Sequence, residues 1–189
     1  MVKKLLLGTV LGGLIVFAWG AISWMVLPWH TATLQAFTNE AVVSKVIQAN
    51  APQPGVYFLP NPRRQTTGAE STASAKSDKA RMEEGPMVFG TIRLVGIRPD
   101  SPTYYLKGLL MEMIGAFFMS WLLLTLPGLG YGARLRTITL VALTAGALTY
   151  LPDWHWWGFS AAYTAIKVLD LVIGWFLAGL VMARVARPE

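Results

Sequence analysis

Four long apolar runs dominate the chain and predict four helices that cross a membrane. They cover residues 5–27, 106–126, 137–151 and 158–185. A span needs about 20 apolar residues with a rise of about 1.5 Å each, so the third run is short and the others are long enough. The small residues of the third run suit a helix that packs against other helices of the protein. We therefore expect an all-α bundle of four transmembrane helices, with helix 1 in residues 1–27 and a three-helix region in residues 106–189.

The first apolar run has two interpretations. Two lysines precede it, and small residues at Ala18 and Gly20 are typical of a secretory signal peptide that is cut before Ala21. The apolar residues nevertheless continue to position 27, which gives the length of a full span. We therefore expect a retained signal anchor.

Gly8 and Gly12 form a GxxxG pair in this first helix. Glycines at this spacing let a second helix approach closely, although the pair also arises by chance in glycine-rich spans. We expect the pair to mark a packing face of the helix, on which a larger membrane complex would dock.

Residues 28–105 separate the first two runs and predict a small α/β insertion outside the membrane. A short helix is expected to begin with Thr38 as its N-cap. Residues 55–59 and 87–95 are rich in β-branched and aromatic residues and predict one antiparallel pair of strands. Residues 61–86 have almost no apolar side chains, so we expect a mobile loop there. A helix and two strands form a thin core, which needs support from the membrane or from another protein.

Lysine and arginine residues in the short segments place both chain ends in the cytoplasm. Arg134 and Arg136 lie between the second and third runs, and others flank the first and fourth, whereas the turn at 152–157 carries only Asp153. The charges of the long insertion do not determine the orientation in the membrane, because loops beyond about 60 residues translocate largely regardless of charge. We therefore expect a bacterial inner (plasma) membrane protein with residues 28–105 extracytoplasmic.

Composition supports a membrane protein and excludes several other classes. The 189 residues are 54% hydrophobic and 14% charged, which is too apolar for an ordinary soluble domain. The absence of cysteine excludes disulfides, thiol catalysis and cysteine metal sites. The formal charge of +6 shows no clustered basic face, so no nucleic-acid partner is expected. Tryptophans at the ends of apolar runs are expected to anchor the helices at the membrane interfaces; they are Trp24, Trp29, Trp154, Trp156 and Trp157.

Three charged residues inside apolar runs are the best candidates for a site. Glu112 lies in the second run, and Lys167 and Asp170 lie three residues apart in the fourth. A charge at mid-bilayer costs roughly 2.5–3.5 kcal/mol, so such residues usually pair or face the bundle interior. Counting about 20 residues back from the cytoplasmic helix ends places all three in one layer near the outer surface. Lys167 and Asp170 share a helix face, and Glu112 would complete a carboxylate, ammonium and carboxylate cluster.

Three roles are compatible with this charge cluster. The first is a structural ion pair that fixes the rotation of one helix against another. The second is a proton or ion site in a small transporter, because a carboxylate in an apolar site can titrate near neutral pH. The third is a metal or polar-ligand site completed by His30, His155 or Asp153, since histidine and carboxylate suit zinc, copper or iron. The spacing matches no recognised metal motif, so we assign no cofactor.

The sequence contains neither an HExxH nor a GxSxG motif, and we expect a protein that is not an enzyme. The expected function is that of an accessory, assembly or interaction subunit, which meets other membrane proteins or further copies of itself in the lipid bilayer. The alternative is a small proton-linked or metal-linked transporter that uses the charge cluster.

Overall fold

The computed structural model describes residues 1–61 and 79–187 and is mostly helical. In chain order its elements are α1 (Val2–Met25), a 3-10 turn (Thr31–Thr33), α2 (Glu40–Asn50), β1 (Gly55–Leu59), β2 (Val88–Ile92), α3 (Pro102–Leu124), α4 (Tyr131–Trp157) and α5 (Ala161–Val185). Helices α1, α3, α4 and α5 are each long and apolar enough to cross a membrane. The prediction of four long apolar helices with a small two-stranded sheet is therefore confirmed.

The chain divides into two compact units. The helical unit joins Met1–Gln35 to Arg98–Glu189 and holds the four long helices. The small unit, Ala36–Ile97, holds α2 and the two strands.

Helix α1 is central to the helical unit. It packs against both α3 and α5, and α5 also packs against α4. Three large side chains at these contacts, Leu123 of α3, Ile138 of α4 and Met182 of α5, are fully buried. The first and last helices of the chain are therefore neighbours, although more than a hundred residues separate them.

Glycines in α1 permit its close approach to α3 and α5. A Cβ atom at Gly12 would lie 2.5 Å from Met182 Sδ of α5, and one at Gly13 would lie 2.9 Å from Met113 Cα of α3. A Cβ atom at Gly8 would likewise collide with the Ser120 hydroxyl of α3 and would lie 3.2 Å from the Cβ of Ala186, just beyond the end of α5. Small residues allow such contacts where apolar helices pack. The GxxxG face is therefore filled by helices of the same chain, which corrects the expectation that a larger complex would dock on it.

Helix α4 is longer at both ends than the apolar pattern indicated. The expected span was 137–151, whereas the helix begins at Tyr131 and ends at Trp157. Pro152 lies inside the helix, where it removes one backbone donor near the C-terminus. The helix ends at Gly158, which has φ 74° and ψ 21°, the left-handed conformation that glycine adopts readily. The prediction of a turn at 152–157 is therefore wrong, because these residues are helical.

The small unit contains the predicted antiparallel pair of strands, with Tyr57 opposite Gly90. The predicted start of α2 is wrong by one residue. The N-cap is Asn39, whose side-chain oxygen accepts a hydrogen bond from the Val42 N–H at 3.1 Å, instead of Thr38. Both residue types cap helices, but asparagine is the stronger cap.

The loop expected at 61–86 is only partly described. Residues 62–78 lie outside the described residues, so the expectation of a mobile loop is untested there. Residues 79–84 are helical, which corrects the part of the prediction that falls on them. One pair in this turn, Lys79 and Glu83, lies at 3.6 Å with the i,i+4 spacing that supports a helical turn.

Candidate functional site

A cluster of polar and aromatic side chains lies at the end of the helical unit where α1 ends and α5 begins. We call it the His30–Asp170 cluster; its members are Trp19, Ser23, Trp24, Trp29, His30 and Asp170. Trp19 and Ser23 are four residues apart, so they share one face of α1. After α1 ends, the chain turns back in a short helical turn, in which the Ala32 N–H donates to the Pro28 carbonyl at 2.9 Å. This turn places His30 beside the α1 face.

Asp170 of α5 has a polar partner at each of its two carboxylate oxygens. The indole N–H of Trp19 donates to Oδ1 at 2.7 Å and also lies 3.1 Å from the backbone oxygen of Asp170. His30 Nε2 lies 3.2 Å from Oδ2, and the Asp170 side chain is only 14% exposed. A carboxylate that is largely removed from water is tolerated when hydrogen bonds replace its water, and here the Trp19 indole N–H supplies one.

Trp19 reaches Asp170 because α5 carries a glycine one turn further along. A Cβ atom at Gly174 would lie 2.8 Å from Trp19 Cδ1. The indole therefore lies directly on the α5 backbone, and a larger residue at Gly174 would push it away from the carboxylate.

His30 is fully buried and held on several sides. Its Nε2 atom lies 3.0 Å from Ser23 Oγ, and the ring stacks on Trp24 with centroids 3.8 Å apart and planes 6° apart. Trp29 meets the ring edge-on at 5.6 Å and donates its indole N–H to Ser23 Oγ at 3.0 Å. The other ring nitrogen of His30, Nδ1, is buried and has no hydrogen-bond partner.

Ser23, His30 and Asp170 do not have the geometry of a hydrolase triad. In a triad the serine and the carboxylate contact different nitrogens of the histidine ring. Here both contact Nε2, at 3.0 and 3.2 Å. The arrangement therefore fixes the imidazole in place without making it a base for the serine hydroxyl.

Lys167 does not form the expected ion pair with Asp170. Its Nζ atom lies 5.1 Å from the centroid of the Trp24 ring and 5.2 Å from that of Tyr150. Both distances are within the roughly 6 Å over which a cation is attracted to an aromatic face. The basic side chain that lies within 4 Å of the Asp170 carboxylate is that of His30 instead. Lys167 therefore borders the cluster from the outer side of Trp24 without touching the carboxylate.

Glu112 of α3 is half-buried. Among the residues that the structure describes, it belongs to no ion pair. The expected carboxylate, ammonium and carboxylate cluster is therefore not formed, because among the described residues neither carboxylate makes an ion pair with Lys167.

The possible metal ligands are not brought together. His155 and Asp153 lie in the last turns of α4, and His155 is exposed with its ring 4.6 Å from that of Trp156. Within residues 1–61 and 79–187, no group of three or more histidine, cysteine, aspartate or glutamate side chains could hold a metal ion. His30 and Asp170 therefore meet without a third ligand.

The five predicted interface tryptophans divide into two groups. Trp24 and Trp29 belong to the His30–Asp170 cluster, so they have a second role besides that of an anchor. Trp154 and Trp156 are exposed on α4, and Trp157 is half-buried at its end. These three positions suit an interface anchor.

Arg134 is a buried residue that sequence reasoning treated only as a topology signal. It is 9% exposed, and its Nε donates to the Ala183 carbonyl of α5 at 2.7 Å. Nη1 donates to the carbonyl of Leu129. A guanidinium satisfies helix-end carbonyls well, since it presents five donors. Arg134 therefore joins the start of α4 to the end of α5.

Comparisons with known proteins do not identify the chain. No protein-family model matches it, and no curated protein and no solved structure shows significant similarity to it.

Proposed function

We propose that the chain is an accessory or interaction subunit of a larger membrane complex, in which the small unit binds the partner. The observation that supports this is the apolar face of α2. No residue of this helix is buried, and Val42 and Val46 are 53% and 56% exposed. An amphipathic helix gains most of its stability by packing its apolar face. A partner protein would provide that packing.

A groove beside α2 gives the partner a place to insert a side chain. It lies between α2 and the end of β2, has a volume of about 370 Å³ and is open to solvent. Phe37, Val43 and Ile47 provide its apolar wall, and Glu40 and Arg93 add one charge of each sign. Such a mixed lining is typical of protein interfaces, which combine an apolar centre with a polar rim.

The proposal includes a topology. The four helices would lie in a bacterial inner membrane, with both chain ends in the cytoplasm and residues 28–105 outside. Lys3 and Lys4 at the start of α1, together with Arg136 near the start of α4, support this by the positive-inside rule. The partner would then meet α2 on the extracytoplasmic side.

Native purification of the tagged full-length chain tests the proposal. Val46→Glu places a charge on the apolar face, whereas Ala41→Glu adds the same charge on the opposite face of α2. After cross-linking in membranes, a distinct partner should accompany the wild type and Ala41→Glu, and its recovery should fall at least about tenfold with Val46→Glu, since burying an unpaired charge is costly. Equal recovery with all three chains would refute the proposal, as would a wild type that purifies alone.

A second function, a small proton-linked transporter, is favoured by the His30–Asp170 contact. Buried ionisable pairs inside apolar helices mark proton paths in membrane proteins. The metal-linked form of this alternative has less support, because no third ligand accompanies the pair among the described residues. Vesicles that contain the purified chain and a pH-sensitive dye test the function. Asp170→Asn should reduce proton flux at least about tenfold, whereas Asp153→Asn should not; wild-type flux equal to that of empty vesicles would exclude it.

A further inference from the structure

We infer that the start of α4 and the end of α5 together bind the phosphate group of an anionic phospholipid. We call this place the Arg134–Arg184 site; its members are the two arginines and the first turn of α4, residues 131–133. The inference goes beyond both proposed functions, because it requires only that the four long helices cross a membrane. It depends on a buried cation without a counter-ion, a second cation fixed beside it, and an open helix start.

Arg134 is a buried cation whose charge no described anion of the chain balances. Its side chain belongs to a residue that is 9% exposed, and its Nε and Nη1 atoms donate to the carbonyls of Ala183 and Leu129. Carbonyls are neutral, so the full charge remains. Within residues 1–61 and 79–187, no carboxylate pairs with this guanidinium and no acceptor is bonded to its third nitrogen, Nη2. Because a buried charge is unfavourable unless it is paired, an external anion would stabilise it.

Arg184 holds a second guanidinium at the same helix start. Its Cζ atom lies 4.4 Å from the centroid of the Tyr131 ring, and Tyr131 is the first residue of α4. Nη1 donates to the Tyr131 hydroxyl at 2.9 Å and also to the Leu180 carbonyl. The residue is exposed, so the guanidinium is fixed in place but accessible from outside. A planar guanidinium that is already oriented suits hydrogen bonds to a phosphate group.

The first turn of α4 adds positive potential and open space. No side chain caps this helix, and its first turn contains no acidic residue. The Arg134 N–H bonds to the Gly130 carbonyl at 3.1 Å, so the amides of residues 131–133 precede the hydrogen bonds within the helix. A Cβ atom at Gly130 or Gly132 would meet nothing within 4 Å. Free amides at the start of a long helix favour a phosphate, and here two arginines flank them.

The sequence around the site provides no competing carboxylate. No aspartate or glutamate occurs in residues 113–152 or 171–188, which include the start of α4 and the end of α5. The sequence indicated no clustered basic face because Arg134 and Arg184 are far apart in the chain. The fold brings both to one helix start, so the charge is concentrated only in the folded protein.

The position of the site favours a phospholipid as the source of the phosphate. Helices α4 and α5 are both long and apolar enough to cross a membrane, so the start of one and the end of the other reach the layer of lipid headgroups. Basic sites between helices at this level bind the headgroups of anionic lipids. A headgroup phosphate would approach from the membrane surface and meet the exposed guanidinium of Arg184 first.

Native mass spectrometry of the full-length chain in an uncharged detergent tests the inference. The chain is titrated with phosphatidylglycerol and, separately, with phosphatidylcholine that has the same acyl chains. Phosphatidylglycerol should bind at least about tenfold more tightly, because the two guanidinium groups favour a headgroup with net negative charge. Equal affinities overturn the inference. A large excess of inorganic phosphate should leave the bound phosphatidylglycerol in place; its displacement would overturn the lipid as the source of the phosphate.

A pair of matched variants separates this site from a general attraction to the basic end of the chain. Arg184→Gln should weaken phosphatidylglycerol binding at least about tenfold, because charge-assisted hydrogen bonds are lost. Lys3→Gln removes one charge from an exposed position on the outer face of α1 and should weaken it by less than about threefold, since an exposed charge outside the site is screened by salt. Equal losses in the two variants overturn the site.

A third variant separates lost binding from lost folding. Gly132→Glu places a carboxylate in the open space of the first turn, where it favours the helix but repels a phosphate. The variant should be at least as stable as the wild type in denaturant, and its affinity for phosphatidylglycerol should fall at least about tenfold. Unchanged affinity in this folded variant overturns the inference.

Discussion

Gly13 gives a stringent test of the packing between α1 and α3. A Cβ atom at this position would lie 2.9 Å from Met113 Cα and 3.1 Å from Met113 N. Backbone atoms cannot rotate away, so α3 must retreat by about 0.5 Å to reach the 3.4 Å of ordinary contact. Overpacking of this kind costs about 1–3 kcal/mol. Gly13→Ala should therefore lower the free energy of unfolding by that amount, reduced by up to about 1 kcal/mol for the better helix propensity of alanine.

Gly20→Ala is the matched control, because it lies in the same helix and a Cβ atom there meets nothing within 4 Å. The assay is denaturant unfolding of the full-length chain in one detergent, followed by circular dichroism. Gly20→Ala should be as stable as the wild type or more stable. Gly12→Ala should fall between the two, since its nearest contact is the flexible Met182 thioether. If Gly13→Ala and Gly20→Ala unfold at the same denaturant concentration, the described approach of α1 to α3 is refuted.

Three further predictions concern the buried arginine, the tryptophan donor and the topology. Arg134→Ala should lower the free energy of unfolding by about 1.5–3 kcal/mol, because charge-assisted hydrogen bonds are lost. Arg136→Ala, at an exposed position, should change it by no more than about 0.5 kcal/mol. Equal unfolding curves for the two variants would contradict this. Trp19→Phe keeps an aromatic ring but removes the donor to the Asp170 carboxylate, so it should lower the free energy of unfolding by about 1–3 kcal/mol. Trp121→Phe, at a position that is 51% exposed, should lower it by less. The reverse order would count against the described site. Because the chain lacks cysteine, a membrane-impermeant maleimide applied to intact cells should label Gln48→Cys and leave Arg136→Cys unlabelled; labelling of the second alone would invert the proposed topology.

The four long helices could be predicted because their signal is local. A run of about 20 apolar residues has few structural alternatives. The predicted 106–126 and 158–185 agree with Pro102–Leu124 and Ala161–Val185 to within a few residues. The ends of α4 were missed because polar residues there break the apolar run. At the start of the helix one of them, Arg134, donates a hydrogen bond to the neighbouring helix α5.

The candidate site could be predicted only in part. Asp170, Lys167 and His30 stood out because charged and titratable groups are rare in apolar runs. The hydrogen bond between Trp19 and Asp170 could not be predicted, because the two residues are 151 positions apart and Trp19 looks like any aromatic residue of an apolar span. The pairing of helices is determined by packing along their whole length, which no local pattern records. Ser23 was missed for the same reason, since its importance lies in its contact with His30.

The contact between the first and last helices sets an order for biogenesis. Gly8 of α1 packs against Ala186, just beyond the end of α5, so this contact can form only after residue 186 has left the ribosome. Until then, the α1 face that carries Gly12 can meet α3 but not Met182. A nascent or truncated chain without α5 would expose a glycine face and leave Trp19 without its carboxylate. The face of α1 is thus covered only once α5 has been made, and until then membrane chaperones and proteases would meet an open α1 face.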